Sequence, residues 1–370
     1  MIERTFKRSV ASILRFFFRS ISPAPQPDIS PRGILVIRQH NQLGDMLCVV
    51  PLLRALRARY PGARLDLMAS PVNQEVMLNS RLLDGVVLYD KRKFLRNGLI
   101  HPLALFRFIR SIRGLYDVVL VPGTVSTSFT SDFLAFLTGA NVRLGVESLD
   151  GRANSSSYFF TTAEALDWRK DPHRHQTLRN LDVARSLAMT VPDCSHELTL
   201  TPGEIEEGKR LGRAMRGSAR LLIGFHPGAG KVPNRWPAEK FAELIDRLSE
   251  TTGCAAFITS GPMDEDVVAG TLRVLKCQPQ VIANQEIRRV ASIITQADLY
   301  VTNDTGVMHI SAGVGTPTLA LFGPTDPLQW APLGERIRYI RGEGGEIGRI
   351  GVEEAYRAAM AMLGKEQSAV

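Results

Sequence analysis

Three stretches of the chain combine residue types that can hold a diphosphate or move a proton. The richest is residues 297–327, ADLYVTNDTGVMHISAGVGTPTLALFGPTDP. Residues 299–301 are an apolar run of strand length, and Asn303, Asp304, Thr305 and Gly306 break it with turn and cap residues. Residues 307–312 predict a short helix, and 318–322 a second buried strand closed by Gly323, Pro324, Thr325 and Asp326. That order is a βαβ unit with its polar turn at the carboxyl end of the first strand. Open α/β sheets bind ligands there, and a helix start offers free N–H groups to an anion. Asp304 predicts the helix cap, and Gly306 lets backbone approach a ligand closely. His309 lies on nearly the same helical face, within reach of a phosphate, although a lone histidine is more often structural.

The second stretch is HPGAGKVPNRWP, residues 226–237. A glycine loop carrying Lys231 and Arg235 suits a diphosphate, whose charge the two cations would neutralise. Loop cations are common, so the loop says little alone. The third is Gly44-Asp45, after the first apolar run and before a helix. Asp is a preferred N-cap, worth ~1 kcal/mol over Ala, and the residues alone favour that role. A carboxylate at a strand's carboxyl end can also face a ligand, and the two roles are compatible.

The surrounding pattern supplies the frame. Residues 34–37, 64–68, 86–88 and 118–121 predict strands, and 46–60, 131–138 and 176–189 predict helices. Residues 164–172 read as loop, and 191–203 as the boundary between domains. The second half repeats the plan, with strands at 221–225 and 255–259, a helix at 238–251 and a terminal helix from Val352. At 370 residues two α/β domains are expected rather than one core. The divisions are 1–27, an N-terminal helix and linker; 28–195 and 196–348, two Rossmann-like domains; and 349–370, a helix and tail.

Composition narrows the classes. Hydrophobic residues at 44% and charged residues at 22% are those of a soluble globular protein. Cys48, Cys194, Cys254 and Cys277 are scattered without metal-ligand spacing, which points to a reducing cytoplasm and no bound metal. The chain lacks GxGxxG after its first strand, a P-loop, HExxH and GxSxG. Nucleic-acid binding would rest on charge alone.

The net charge of +8 is uneven. In residues 1–27, Arg4, Lys7, Arg8, Arg15 and Arg19 stand against Glu3. Ile2, Phe6, Val10, Ile13, Phe17 and Ile21 recur at helical spacing, so residues 2–21 read as a basic amphipathic helix suited to a membrane surface. A second basic run, from Lys91 to Arg113, is interleaved with Leu103, Leu105, Phe106, Phe108 and Ile109. It reads equally as a solvated helix face or as a surface for an anionic lipid or glycolipid.

Together the three stretches resemble glycosyltransferase family 9, the heptosyltransferases. ILVIRQHNQLGDMLCVVPLLRALRARYPGARLDLM is similar to the family's opening, HPGAGKVPNRWPAEKFAELIDRL to its central Arg-Trp-Pro stretch, and residues 297–327 to its Asn-Asp-[Ser/Thr]-Gly-x-x-His signature. The likeness covers roughly residues 33–335. It implies a GT-B fold, with an acceptor domain first and a donor domain second. It also implies inverting, metal-independent transfer, without cofactor, from a nucleoside-diphosphate sugar, ADP-heptose in the best-known members. The acceptor would be an anionic glycolipid or glycan such as the lipopolysaccharide core, reached from the cytoplasmic side of the membrane. Asp45, after Gly44, matches the family's catalytic base. Asp304, Thr305, Gly306 and His309 match its donor signature, Asp264 an acid near the donor ribose, and His175 a histidine before the inter-domain helix. Asn234 stands where members commonly have lysine, and Lys231 is the nearest replacement cation. A sugar-nucleotide epimerase or hydrolase, and a non-catalytic nucleotide-sugar or glycolipid binder, remain as alternative readings.

Overall fold

Gly33–Arg38 (β1) is buried along its whole length, as an apolar strand must be when it has neighbours on both edges and helices on both faces. It pairs in parallel with Arg64–Ala69 (β2) and Val118–Leu120 (β4). Gly85–Leu88 (β3), Val142–Leu149 (β5) and Thr162–Leu166 (β6) extend the sheet to the order β3-β2-β1-β4-β5-β6, with every one of these pairings parallel. The two-residue strand Arg152–Ala153 adds an antiparallel pairing to β5. The computed structural model describes residues 29–39, 42–96, 99–191 and 193–364. The amphipathic pattern of residues 2–21 lies outside them. The chain divides into two units, Met1–Cys194 and Ser195–Val370, and the sheet just described belongs to the first.

Three expectations change here. The helix expected over 176–189 ends at Asp182, and a separate 3-10 turn, Arg185–Leu187, follows it. The single helix expected over 46–60 is two, Leu43–Leu47 (α1) and Val50–Arg59 (α2). Pro51 has no N–H to give Leu47, so the ladder breaks, and Cys48 and Val49 form a turn by bonding back to Gly44 and Met46. The loop expected over 164–172 begins as β6. Its short alternation is a weak signal, and the edge of β5 decides it by offering backbone partners.

The first unit also has helices Pro102–Ile112 (α3), Phe129–Leu137 (α4) and Gln176–Asp182 (α5). Leu35, Ile37, Met68, Val119, Leu134 and Phe160 form part of its core. Asp132, in the first turn of α4, is 2% exposed, accepting from Ser156 Oγ at 2.6 Å and Asn154 Nδ2 at 2.9 Å. Burial pushes its carboxyl up to about 6 despite those donors. The folded form therefore holds a proton that the unfolded chain has released. Stability from this group is complete below the ordinary carboxylate range and falls as pH rises from about 4 to 6. Asp132→Asn should remove that fall, on the order of 1–3 kcal/mol, flattening the unfolding midpoint between pH 4 and 7. A profile matching the parent's would show that another group titrates.

The second unit repeats the scheme with Leu222–His226 (β7), Ala255–Ser260 (β8), Gln280–Ala283 (β9), Leu299–Asn303 (β10), Thr318–Phe322 (β11) and Ile337–Arg341 (β12). Their order is β9-β8-β7-β10-β11-β12, again parallel. Successive side chains of β7 face opposite layers. Ile223 and Phe225 pack with Ala238–Thr252 (α7) and the terminal helix. Leu222 packs with Val290, Ile293, Ile294 and Met215, from two helices the sequence did not announce. One of these, Pro202–Arg216 (α6), starts with a capping box: Thr201 Oγ1 accepts from the Glu204 N–H, and the Glu204 carboxylate accepts from the Thr201 N–H. Its Pro and Gly read as a boundary, yet proline is well suited to the first helical position. The other unannounced helices are Glu265–Val274 (α8), Ile287–Ile294 (α9) and the single turn Pro327–Trp330; Gly306–Gly313 (α10) and Val352–Met362 (α11) fall where helices were expected. Among the described residues no helix is long and apolar enough to cross a membrane.

Candidate active-site residues

In the first unit, α1 follows the carboxyl end of β1 and carries Gly44 and Asp45. Asp45 is not the cap. Gln42 holds that position without a side-chain bond, and Asp45 lies inside the first turn. Its Oδ1 instead faces the Arg38 guanidinium, Nη2 at 3.2 Å, and both side chains are at least nine-tenths buried. Arg38 Nη1 donates to the Pro122 carbonyl at 2.7 Å. The last residue of β1 thus fixes one carboxylate oxygen of Asp45 and leaves the other available to a ligand. Nothing in the sequence marked Arg38 beyond being a cation at a strand's end.

His175 caps α5, its Nδ1 accepting from the Thr177 N–H at 3.1 Å. Asn180, on the same helix, donates from Nδ2 to the Cys48 carbonyl at 3.1 Å. His175 therefore steadies a helix that braces the turn behind Asp45. Cys48 in that turn is no nucleophile: burial, then the nearby Asp45 carboxylate, push its thiol up to about 12.

In the second unit the glycine loop follows β7 and the Asn303–Gly306 turn follows β10, side by side at the carboxyl edge of the sheet. Asn303 joins them, a role the sequence did not show. Its Nδ2 donates to the carbonyls of Pro227 and Gly228 at 2.7 and 3.2 Å, and its Oδ1 accepts from the Trp236 N–H at 3.2 Å. Asn234 Nδ2 donates to the Asp304 carboxylate at 2.9 Å and to Thr325 Oγ1 at 3.3 Å, adding the turn after β11. Asp304 is thus engaged across the loops, and the cap expected of it is Thr305, whose Oγ1 accepts from the Val307 N–H at 3.2 Å. Burial raises the Asp304 carboxyl, while Thr325 and the Lys231 charge pull it back. Gly306 opens α10, so its backbone stands at a helix start with no side chain in front of it.

The two loop cations differ. Lys231 is exposed and, among the described residues, makes no ion pair. Arg235 is taken up by the protein: Nε donates to the Ala229 carbonyl at 2.9 Å, Nη2 to that of Met263 at 2.8 Å, and Nη1 pairs with Asp266 at 3.0 Å. It clamps the loop, and its guanidinium is not held out for an anion.

Asp264 is buried beneath the same loop. It accepts from the Gly261 N–H at 2.8 Å and lies 3.7 Å from His226 Nε2. A Cβ on Gly228 would fall 2.2 Å from its carboxyl carbon, so only glycine lets the loop settle onto this carboxylate. Burial holds the His226 imidazole below its usual range against the pull of Asp264. His309, buried on α10, has its Nδ1 3.4 Å from that of His196. The structure therefore gathers Lys231, Asp304, Thr305 and Gly306 at one edge of the second sheet and places Arg235 and Asp264 as the supports of that edge.

Comparison with known proteins agrees with these two α/β units. The family model described as glycosyltransferase family 9 (heptosyltransferase) matches residues 105–350. Lipooligosaccharide heptosyltransferase 2 of Haemophilus influenzae is 27% identical over 337 residues, covering 84% of this chain and 90% of its own. Among solved structures, a family 9 glycosyltransferase from Veillonella parvula superimposes with a TM-score of 0.78 at 22% identity, covering 93% of this chain and 99% of its own. ADP-heptose lps heptosyltransferase II of E. coli gives 0.73 at 23% identity, covering 90% and 99%. The fold is GT-B.

Proposed function

The chain belongs to glycosyltransferase family 9, the heptosyltransferases, and from that premise we propose that it moves heptose from ADP-heptose to a hydroxyl of a lipopolysaccharide-core acceptor. The observation that carries this reading is the match to a lipooligosaccharide heptosyltransferase along most of both chains.

In this reading Asp45 is the general base. Arg38 anchors Oδ1, and the free oxygen takes the proton of the acceptor hydroxyl. The acceptor oxygen bonds to the anomeric carbon from the face opposite the diphosphate, that carbon's bond to the diphosphate oxygen breaks, and the configuration inverts. Charge gathers on the departing ADP. The N–H groups at Thr305–Gly306 and the ammonium of Lys231 meet it, each well-aimed donor contributing up to ~3 kcal/mol in the transition state. His309 adds a donor from the same helix. Arg235 and Asp264 act indirectly by fixing the glycine loop. Gly44 and His175 hold the acceptor side, the latter through α5.

A cytoplasmic location belongs to the same proposal, and the four unpaired cysteines agree with it. So does membrane association through residues 2–21, which the pattern of the sequence supports. The test is to incubate the chain with ADP-heptose, UDP-sugars and GDP-sugars, each with and without a heptose-deficient lipopolysaccharide. Acceptor-dependent release of ADP from ADP-heptose, with mass gain on the acceptor, is the expected result. Turnover without acceptor would instead identify a hydrolase or epimerase, and donor binding without turnover a binding protein.

A further inference from the structure

Helix α3 turns Leu103 and Phe106 to solvent, 51% and 59% exposed. The helix is nevertheless well seated, because Phe108 on its other side packs against Phe94 and Tyr89 with ring centroids 5.2 and 5.6 Å away. Leu103, Phe106, Arg107 and Arg110 recur three and four residues apart, so two bare apolar side chains and two exposed guanidinium groups share one stripe. The Phe94 contact also holds the short 3-10 turn Lys91–Phe94 beside the helix, with Lys91, Arg92 and Lys93 exposed. From residue 91 to residue 116 there are seven Lys or Arg and no Asp or Glu. Among the described residues the acid bound into the patch is Asp90, which pairs with Arg92 at 2.9 Å.

Surface cations alone are ordinary, and so is an isolated exposed leucine. A Leu–Phe pair inside a field of one sign calls for a partner that is apolar under an anionic skin. A bilayer containing acidic lipid has that layering. Nucleic acid would satisfy the cations and leave Leu103 and Phe106 in water. We propose that α3 is a membrane-docking helix, laying Leu103 and Phe106 into the interface of an anionic bilayer while Arg107, Arg110 and the Lys91–Lys93 turn bind headgroups. The surface belongs wholly to the first unit. Docking through it does not depend on the transfer reaction.

The test uses the full chain and vesicles of phosphatidylcholine with or without phosphatidylglycerol. A Phe106→Trp variant, read as the difference from the parent with its native tryptophans, should be quenched by brominated acyl chains in the anionic vesicles and not in the neutral ones. Leu103→Glu with Phe106→Glu should lower co-sedimentation at least about tenfold. Arg107→Glu with Arg110→Glu should lower it by about fivefold for each cation lost. The idea is overturned if the chain sediments with vesicles while the tryptophan at position 106 stays unquenched. It is equally overturned if the full chain fails to sediment with anionic vesicles.

Discussion

Asp45→Asn is expected to lower turnover by about 10²–10⁴-fold, the usual contribution of a positioned general base, with donor affinity unchanged. The residues alone made this substitution neutral for the fold, since Asn caps a helix as well as Asp. The structure changes that argument. Asp45 makes no cap and is the counter-charge of buried Arg38, 3.2 Å away. Removing one partner of a buried pair costs up to ~3–5 kcal/mol, here moderated because an Asn side-chain oxygen still faces the Arg38 guanidinium and the Pro122 carbonyl holds Nη1. Some loss of thermal stability should therefore accompany the loss of turnover. The measurement is kcat with ADP-heptose and a confirmed acceptor, beside the unfolding midpoint and calorimetric ADP binding. A folded Asp45→Asn protein that kept turnover near the parent's would remove the residue from the mechanism.

Lys231→Ala is expected to weaken ADP binding by about 10–100-fold, the range for a lost charge-assisted hydrogen bond. Three observations single out this residue. Lys231 is exposed beside the turn that starts α10, and its charge is felt at Asp304. Asn234, where the family resemblance leads one to expect lysine, has its amide engaged with Asp304 and Thr325. Arg235, the other loop cation, bonds to Ala229, Met263 and Asp266. The loss should shrink as salt is raised, because an exposed cation is screened. Arg235→Ala is the contrasting variant, expected to lower the unfolding midpoint through the loop it clamps. Equal ADP affinity in the parent and Lys231→Ala proteins would return the phosphate site to backbone N–H groups alone. Thr305→Val is a poorer probe, since Thr305 Oγ1 caps α10 and its removal disturbs the helix start as well.

The sequence by itself determined the two α/β units, because fully buried parallel strands must be written as short apolar runs closed by turn residues. Seen in the residues, β1, β2, β7, β10 and β11 have that form and appear in the structure with small changes at their ends. Motif order likewise determined the family, since Gly-Asp, Arg-Trp-Pro and Asn-Asp-Thr-Gly are local strings. The weaker elements were not legible: β6 depends on an edge offered by β5, and α6 hides behind a Pro-Gly pair that is itself part of a helix start. What only the tertiary structure decided was the partner of each polar side chain. Asp45 and Asp304 both looked like caps, and each is held instead by a side chain from another element, Arg38 at the end of β1 in one case and Asn234 in the glycine loop in the other. Arg235 and Lys231 looked alike as cations, and burial against carbonyls separates them. A side chain's type and spacing fix what it can bond to. Which of those bonds forms depends on the groups the fold places within about 3 Å of it, and those come from residues the local sequence does not contain.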